Sequence, residues 1–473
     1  MNIYNLTAGV QYNISVTAVA ADNQTKGLSA FTSNYTKPDT VRDLTVTEIT
    51  TSSISLSWTK PLGQSSYYEV EWSNGSYTLN ANVTDERMNI TNLTAGVQYN
   101  IRVTAVAADN QTKGHSAFTS SYTKPDKVRD LAVTEITTSS ISLSWTEPLG
   151  QSSYYEVEWS NGSYTLNVNV TDERLNITNL TAGVQYNISV TAVAADNQTK
   201  GNSAFTSSYT KPDKVTNITV TEITTSSISL SWTKPLGQSS YYVVEWSNGS
   251  YTLNANVTDE SMNITNLTAG VQYNISVTAV AADNQTKGHS AFSSSYTKPD
   301  KVRDLTVTEI TTSSISLSWT EPLGQSSYYE VEWSNGSYTL NANVTDERLN
   351  ITNLTAGVQY NISVTAVAAD NQTKGHSAFT SSYTKPDKVR NLTVTEITTS
   401  SISLSWTEPL GQSSYYVVEW SNGSYTLNAN VTDERLNITN LTAGVQYNIR
   451  VTAVAADNQT KGLSVFFSKY TSK

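Results

Sequence analysis

The sequence predicts an all-β chain, a tandem array of seven-stranded β-sandwiches. Three observations carry this. Tryptophan recurs at a fixed spacing of 87 residues, as Trp58, Trp145, Trp232, Trp319 and Trp406, and again as Trp72, Trp159, Trp246, Trp333 and Trp420. Apolar residues alternate with polar ones around every tryptophan, the pattern of half-buried strands. Turn signals recur every 8–12 residues with no helical period between them, which favours a sandwich.

The repeat sets the organisation, because a fixed period overrides any estimate from length alone. Pro38, Pro125, Pro212, Pro299 and Pro386 each open a copy, and Pro61, Pro148, Pro235, Pro322 and Pro409 complete the ten prolines. The expected segments are 1–37, the end of a truncated copy, and then 38–124, 125–211, 212–298, 299–385 and 386–473. A unit of 87 residues is too long for a solenoid repeat and suits a small independent domain.

The copy from Pro38 shows the elements in order. Val41, Leu44 and Val46 predict a first strand, and Ile54, Leu56 and Trp58, alternating with serines, a second. Tyr68, Val70 and Trp72 alternate with Glu69 and Glu71 in a third. Asn74-Gly75 predicts a hairpin turn, with Tyr77 and Leu79 in the return strand. Met88, Ile90 and Leu93 mark another inward series, and Tyr99, Ile101 and Val103 the next. The polar loop from Asp109 to Gly114 leads to a last strand over Ala117–Tyr122. All ten tryptophans are expected in cores.

These residues resemble the fibronectin type III domain. The Trp58 strand with its Pro61 turn is similar to that family's second strand, and Tyr68-x-Val70-x-Trp72 to its third. Leu93-Thr94-Ala95-Gly96-Val97-Gln98-Tyr99 resembles its Leu-x-Pro-x-x-x-Tyr segment, with Ala95 in place of the proline. The resemblance implies an immunoglobulin-like sandwich. It also implies a tyrosine corner at Tyr12, Tyr99, Tyr186, Tyr273, Tyr360 and Tyr447, each hydroxyl bonding back to nearby backbone. The stretch from Asn92 to Ile101, followed by Val103 to Gly114, is similar to extracellular repeats of receptor-type protein tyrosine phosphatases. No phosphatase signature is present, because that motif needs a cysteine and the chain has none.

Composition narrows the function. A net charge of −11 argues against nucleic acid, whose binding needs a concentrated basic face. The absence of cysteine removes disulfides, thiolate metal sites and cysteine nucleophiles. No stretch approaches ~20 consecutive apolar residues, so no membrane insertion by this segment is expected. The first residues lack a signal-peptide pattern. Met1 occupies the repeat position of Met88 and Met262, and the last residues stop where a linker would begin. The chain therefore reads as a fragment, and residues 1–37 are expected to be disordered or to expose edge strands.

Asn-x-Ser/Thr triplets carry the expectation of location. The copy from Pro299 has seven asparagines, six of them in such triplets: Asn335, Asn343, Asn350, Asn353, Asn361 and Asn371. Chance, at that copy's Ser and Thr content, gives about two. The glycosylation candidates are Asn74, Asn82, Asn110, Asn161, Asn169, Asn187, Asn197, Asn248, Asn256, Asn274, Asn284, Asn335, Asn343, Asn361, Asn371, Asn422, Asn430 and Asn458. Asn100-Ile101-Arg102 and Asn448-Ile449-Arg450 break the triplet by arginine. An extracellular glycoprotein follows, either a cell-surface ectodomain or a secreted protein.

No catalytic, cofactor or metal residue is expected. His115, His289 and His376 share a repeat position that holds Leu28, Asn202 and Leu463 elsewhere, so it is not built around a ligand. Asp85-Glu86 is a pair of adjacent carboxylates, which point apart, whereas acid–base work needs two in one cleft. Arg42-Asp43-Leu44 falls in the first strand and reads as structural, and the loop before the last strand lacks Arg-Gly-Asp. The pairs Tyr67-Tyr68, Tyr154-Tyr155, Tyr241-Tyr242, Tyr328-Tyr329 and Tyr415-Tyr416 each place one ring inward. The outer ring, with Glu69 and Glu71, forms an aromatic-acidic stripe that is a candidate binding face. At ~3.3 Å per residue each module is about 30 Å long, and five in a row make a proline-stiffened spacer of roughly 150 Å. Its expected partners are protein or glycan ligands at the cell surface. A receptor ectodomain of the phosphatase kind comes first, and a secreted matrix or adhesion glycoprotein is the alternative.

Overall fold

A computed structural model describes residues 1–473. Every regular element is a strand. By internal contacts the chain divides into two compact units. One comprises residues 1–214, 235–241 and 279–289, and the other comprises 215–234, 242–278 and 290–473.

The copy from Pro38 lies in the first unit and shows the plan. Its strands are β3 (Arg42–Ile49), β4 (Ile54–Thr59), β5 (Tyr67–Ser73), β6 (Thr78–Val83), β7 (Arg87–Ile90), β8 (Gln98–Val106) and β9 (Lys113–Tyr122). Preceding them are β1 (Gln11–Val19) and β2 (Lys26–Tyr35). Strands β3-β4-β7 form one sheet and β6-β5-β8-β9 the other. Five such pairs of sheets occur along the chain, and β1-β2 stand as a two-stranded sheet.

Alternation explains the packing. On β4, Ile54, Leu56 and Trp58 are buried, and on β5 Tyr68, Val70 and Trp72. They meet Ile90, Tyr99, Ile101 and Val103 in one cluster. At ~25 cal/mol per Å² of apolar surface, burying each large side chain contributes ~1.5–3 kcal/mol against chain entropy. The Trp58 and Tyr68 rings meet edge to face, with centroids 5.3 Å apart, a geometry suited to their quadrupoles.

Two local expectations change. The first strand carries a kink: Asp43 has φ 51°, and the β3–β4 register shifts between Arg42 and Thr45. The Asp43 carboxylate accepts the Thr59 hydroxyl proton at 2.9 Å, and the Arg42 guanidinium donates to the Lys60 carbonyl at 3.3 Å. Both charged residues therefore hold the bulge. The Asn74-Gly75 turn is longer than a two-residue hairpin loop, since Ser73 pairs with Thr78. Only Gly75 has positive φ there, while the Asn74 Oδ1 accepts the Ser76 and Tyr77 backbone N–H groups. An Asx turn thus closes the expected hairpin. Tyr77 sits in this turn rather than in the return strand, and its hydroxyl shares a hydrogen bond with Tyr99 at 3.0 Å.

Candidate interaction faces and module junctions

Within each compact unit, adjacent copies are joined by backbone. The Gln151 N–H donates to the Ala95 carbonyl at 3.0 Å. The same bond joins Gln64 to Ala8 (3.0 Å), Gln238 to Ala182 (2.9 Å), Gln325 to Ala269 (2.9 Å) and Gln412 to Ala356 (2.9 Å). Two glycines make the approach possible. Gly96 and Gly150 have φ of 71° and 97°, a region open to glycine at little cost. A Cβ on Gly96 would collide with the Gln151 carbonyl, and one on Gly150 with the Ala95 carbonyl.

The linker is tied down as well. The Thr123 hydroxyl is buried; it donates to the Thr94 carbonyl at 2.6 Å and accepts the Val97 N–H at 3.1 Å. The Lys124 N–H bonds to the Thr50 carbonyl at 2.9 Å. Sequence reasoning assigned linker stiffness to proline and missed this lock. Its only signal is the recurrence of Ala-Gly and Leu-Gly-Gln in each copy.

The six expected corner tyrosines share one main-chain hydrogen bond. The Tyr99 hydroxyl accepts the Thr94 N–H at 3.0 Å. Tyr12, Tyr186, Tyr273, Tyr360 and Tyr447 accept from Thr7, Thr181, Thr268, Thr355 and Thr442 at 2.9–3.1 Å. Glu86 accepts the Tyr68 hydroxyl proton at 3.0 Å, so this carboxylate is engaged in holding the core edge. Burial raises the Tyr68 pKa, and the bond to Glu86 adds to the rise. The five tryptophans of the first series are 5% exposed, whereas Trp159, Trp333 and Trp420 lie half-buried at the edge of their clusters. All ten indole N–H groups are buried without a hydrogen-bond partner.

On the outer face of the four-stranded sheet, Tyr67 is half-buried and Tyr68 points inward. The acidic stripe is partly neutralised, while Glu158, Glu245 and Glu332 make no ion pair. Glu69 pairs with Lys113 at 2.6 Å and Glu71 with Arg102 at 2.6 Å. Lys200–Glu156 and Lys374–Glu330 repeat the first pair at 2.5 Å, and Arg450–Glu419 repeats the second. Such exposed pairs contribute ~0–1 kcal/mol each. Sequence reasoning missed the aromatic residue on this face. Phe118, Phe205, Phe292, Phe379 and Phe466 are each 74–78% exposed. Each follows an inward-facing small apolar residue of the last strand, alanine in four copies and Val465 in the last, and that phase was the available signal.

The asparagines of the expected glycosylation triplets sit at the surface. Asn74, Asn161, Asn248, Asn335 and Asn422 are half-buried in their turns. Asn82, Asn169, Asn256, Asn343 and Asn430 are exposed on strands, as are Asn187, Asn274 and Asn361. Asn110, Asn197, Asn284, Asn371 and Asn458 are exposed in a tight loop with φ near 60°. The three histidines are exposed, and no three His, Asp or Glu side chains converge on a possible metal position.

This repeated sandwich defines the class. The model of the fibronectin type III domain matches residues 39–120, 126–207, 213–294, 300–381 and 387–466, and the chain belongs to that family. Among curated proteins it is similar to chicken receptor-type tyrosine-protein phosphatase eta, 37% identical over 99% of this chain and 34% of that protein. Human receptor-type tyrosine-protein phosphatase H is 33% identical over 88% of this chain and 38% of its own length. Chicken tenascin-R is 25% identical over 98% of this chain and 35% of its own length. The chain thus spans about a third of the length of these relatives.

Proposed function

We propose that the chain is an extracellular, N-glycosylated spacer and interaction array, without catalytic activity of its own. It is divided as 1–37, 38–124, 125–211, 212–298, 299–385 and 386–473. The carrying observation is the backbone lock, repeated between Ala95 and Gln151 and at the equivalent positions. A lock that needs two glycines and a main-chain hydrogen bond resists bending where a loose linker would not. Such an array sets a distance and presents side faces to protein or glycan ligands at a cell surface.

The likeness to two receptor-type phosphatases favours a receptor ectodomain. The likeness to tenascin-R supports the second reading, a secreted matrix or adhesion glycoprotein. Sequencing the transcript through both ends of this coding region separates the two. A downstream apolar helix followed by a cytoplasmic domain with Cys-x5-Arg establishes the receptor. Further modules and a stop codon, with no membrane segment, establish the secreted protein and reject the receptor.

A further inference from the structure

The exposed phenylalanine and a candidate asparagine share one face. In the fourth complete copy Asn361 pairs with Ser381 and Ser363 with Phe379. Asn361 and Phe379 are therefore diagonal neighbours, roughly 7–8 Å apart at Cα, within reach of a large group on either side chain. A shallow depression of about 460 Å³ runs between them, lined by Glu332, Ser334, Asn361 and Phe379. The second copy repeats it with Asn187 and Phe205, in about 430 Å³. In the copy from Pro212, Asn274 pairs with Ser294 and Ser276 with Phe292. None of these three asparagine side chains makes a hydrogen bond, and all are exposed.

The first and last complete copies differ at one residue of the triplet. Arg102 and Arg450 stand where the others have serine, and they pair with Glu71 and Glu419. In the last copy the equivalent Asn448 Oδ1 is taken by the Ser468 hydroxyl at 2.5 Å. Phe118 and Phe466 remain exposed there.

We propose that an N-linked glycan on Asn187, Asn274 and Asn361 lies across Phe205, Phe292 and Phe379, while Phe118 and Phe466 stay bare. The inference rests on the extracellular, glycosylated reading above. Transfer uses a lipid-linked oligosaccharide pyrophosphate as donor. The sugar C1–O bond to pyrophosphate breaks, C1 bonds to the asparagine Nδ2, the amide releases one proton, and the lipid pyrophosphate leaves. The first N-acetylglucosamine then presents its apolar C–H face to the ring. An isolated ring in water is covered without any second protein, and the phenylalanine edge of the face becomes closed to partners in three copies and stays uncovered in two.

The test is expression of the full 473-residue chain, behind a secretion signal, in mammalian cells supplied with 13C-labelled sugar. Site occupancy is read by peptide mass spectrometry and ring contact by NMR. The expected result is occupied Asn187, Asn274 and Asn361, with upfield-shifted N-acetylglucosamine protons. F205S, F292S and F379S should remove the shift and leave occupancy unchanged. Occupied sites with unshifted sugar protons overturn the proposal. So do bare sites at these three positions alongside occupied Asn371 or Asn110, and in that case the glycoprotein reading survives. No glycan at any triplet overturns both.

Discussion

The hairpin β1–β2 and the hairpin β8–β9 have nearly the same sequence and different fates. Both ladders have the same register, from Gln11↔Tyr35 and from Gln98↔Tyr122, with the same irregularity near the turn. In both, the tyrosine hydroxyl accepts a threonine N–H, from Thr7 to Tyr12 and from Thr94 to Tyr99. In both, a threonine hydroxyl donates at 2.6 Å to that threonine's carbonyl, Thr36 to Thr7 and Thr123 to Thr94. Burial separates them. Val16 is 68% exposed and Val103 is 0% exposed; Val19 is 50% exposed and Val106 is 0% exposed. Hydrogen-bond geometry is thus encoded within the hairpin, whereas burial comes from the facing three-stranded sheet, which β1–β2 lack in this chain. A two-stranded ladder alone is marginal in water.

The largest expected difference is in amide exchange. The amides of Ile101 and Val103 should open only with their module, and those of Ile14 and Val16 by local fraying. Exchange of the first pair is expected to be slower by about a thousandfold or more. Equal protection of both hairpins would break the comparison.

Side-chain truncation gives the next largest effect. Val103→Ala leaves a cavity in a closed core and should destabilise its module by about 2 kcal/mol in denaturant unfolding. Val16→Ala removes methyls already in water and should change stability by less than ~0.5 kcal/mol. A similar cost at both sites would show that β1–β2 pack against something the exposures do not record.

The corner tyrosines follow. Tyr99 is 0% exposed and its hydroxyl bonds both the Thr94 N–H and the Tyr77 hydroxyl, so Tyr99→Phe removes two hydrogen bonds at a cost of about 1–2 kcal/mol. Tyr12 is half-buried and its hydroxyl has the Thr7 N–H as its one partner, so Tyr12→Phe removes a single bond beside water and should cost less. Comparing Tm for the two variants checks this.

The same contrast explains what sequence could show. Strands and cores were legible because Ile54-x-Leu56-x-Trp58 and Tyr68-x-Val70-x-Trp72 alternate, and alternation reports burial directly. The Ala95–Gln151 lock was not legible, because it is made by main-chain atoms of two distant segments and leaves only glycines as a trace. The hairpin at Asn74-Gly75 was legible, but its four-residue loop was not, because the Asn74 side chain replaces a backbone bond, a choice the dipeptide does not reveal. The ion pairs across the acidic stripe were not legible, because Lys113 and Arg102 lie 44 and 31 residues away from their glutamates.

The smallest effect sharpens the comparison most. Asp22 and Asp109 close equivalent turns: each carboxylate accepts the hydroxyl proton of Thr25 or Thr112, then that residue's N–H and that of Gln24 or Gln111. The threonine hydroxyl bond is the largest influence lowering each pKa below its ordinary value of 3.8. A depressed folded pKa means stability that is fully present above pH ~4 and lost as pH falls through the folded value. Both carboxylates are exposed to water or nearly so, so neither depends on the core. NMR titration should place both below the ordinary value, and Thr25→Ala and Thr112→Ala should each raise its own partner. If Asp22 titrates normally while Asp109 stays depressed, even the turn geometry depends on the facing sheet. The division between locally encoded bonds and sheet-dependent burial would then fail at its most local point.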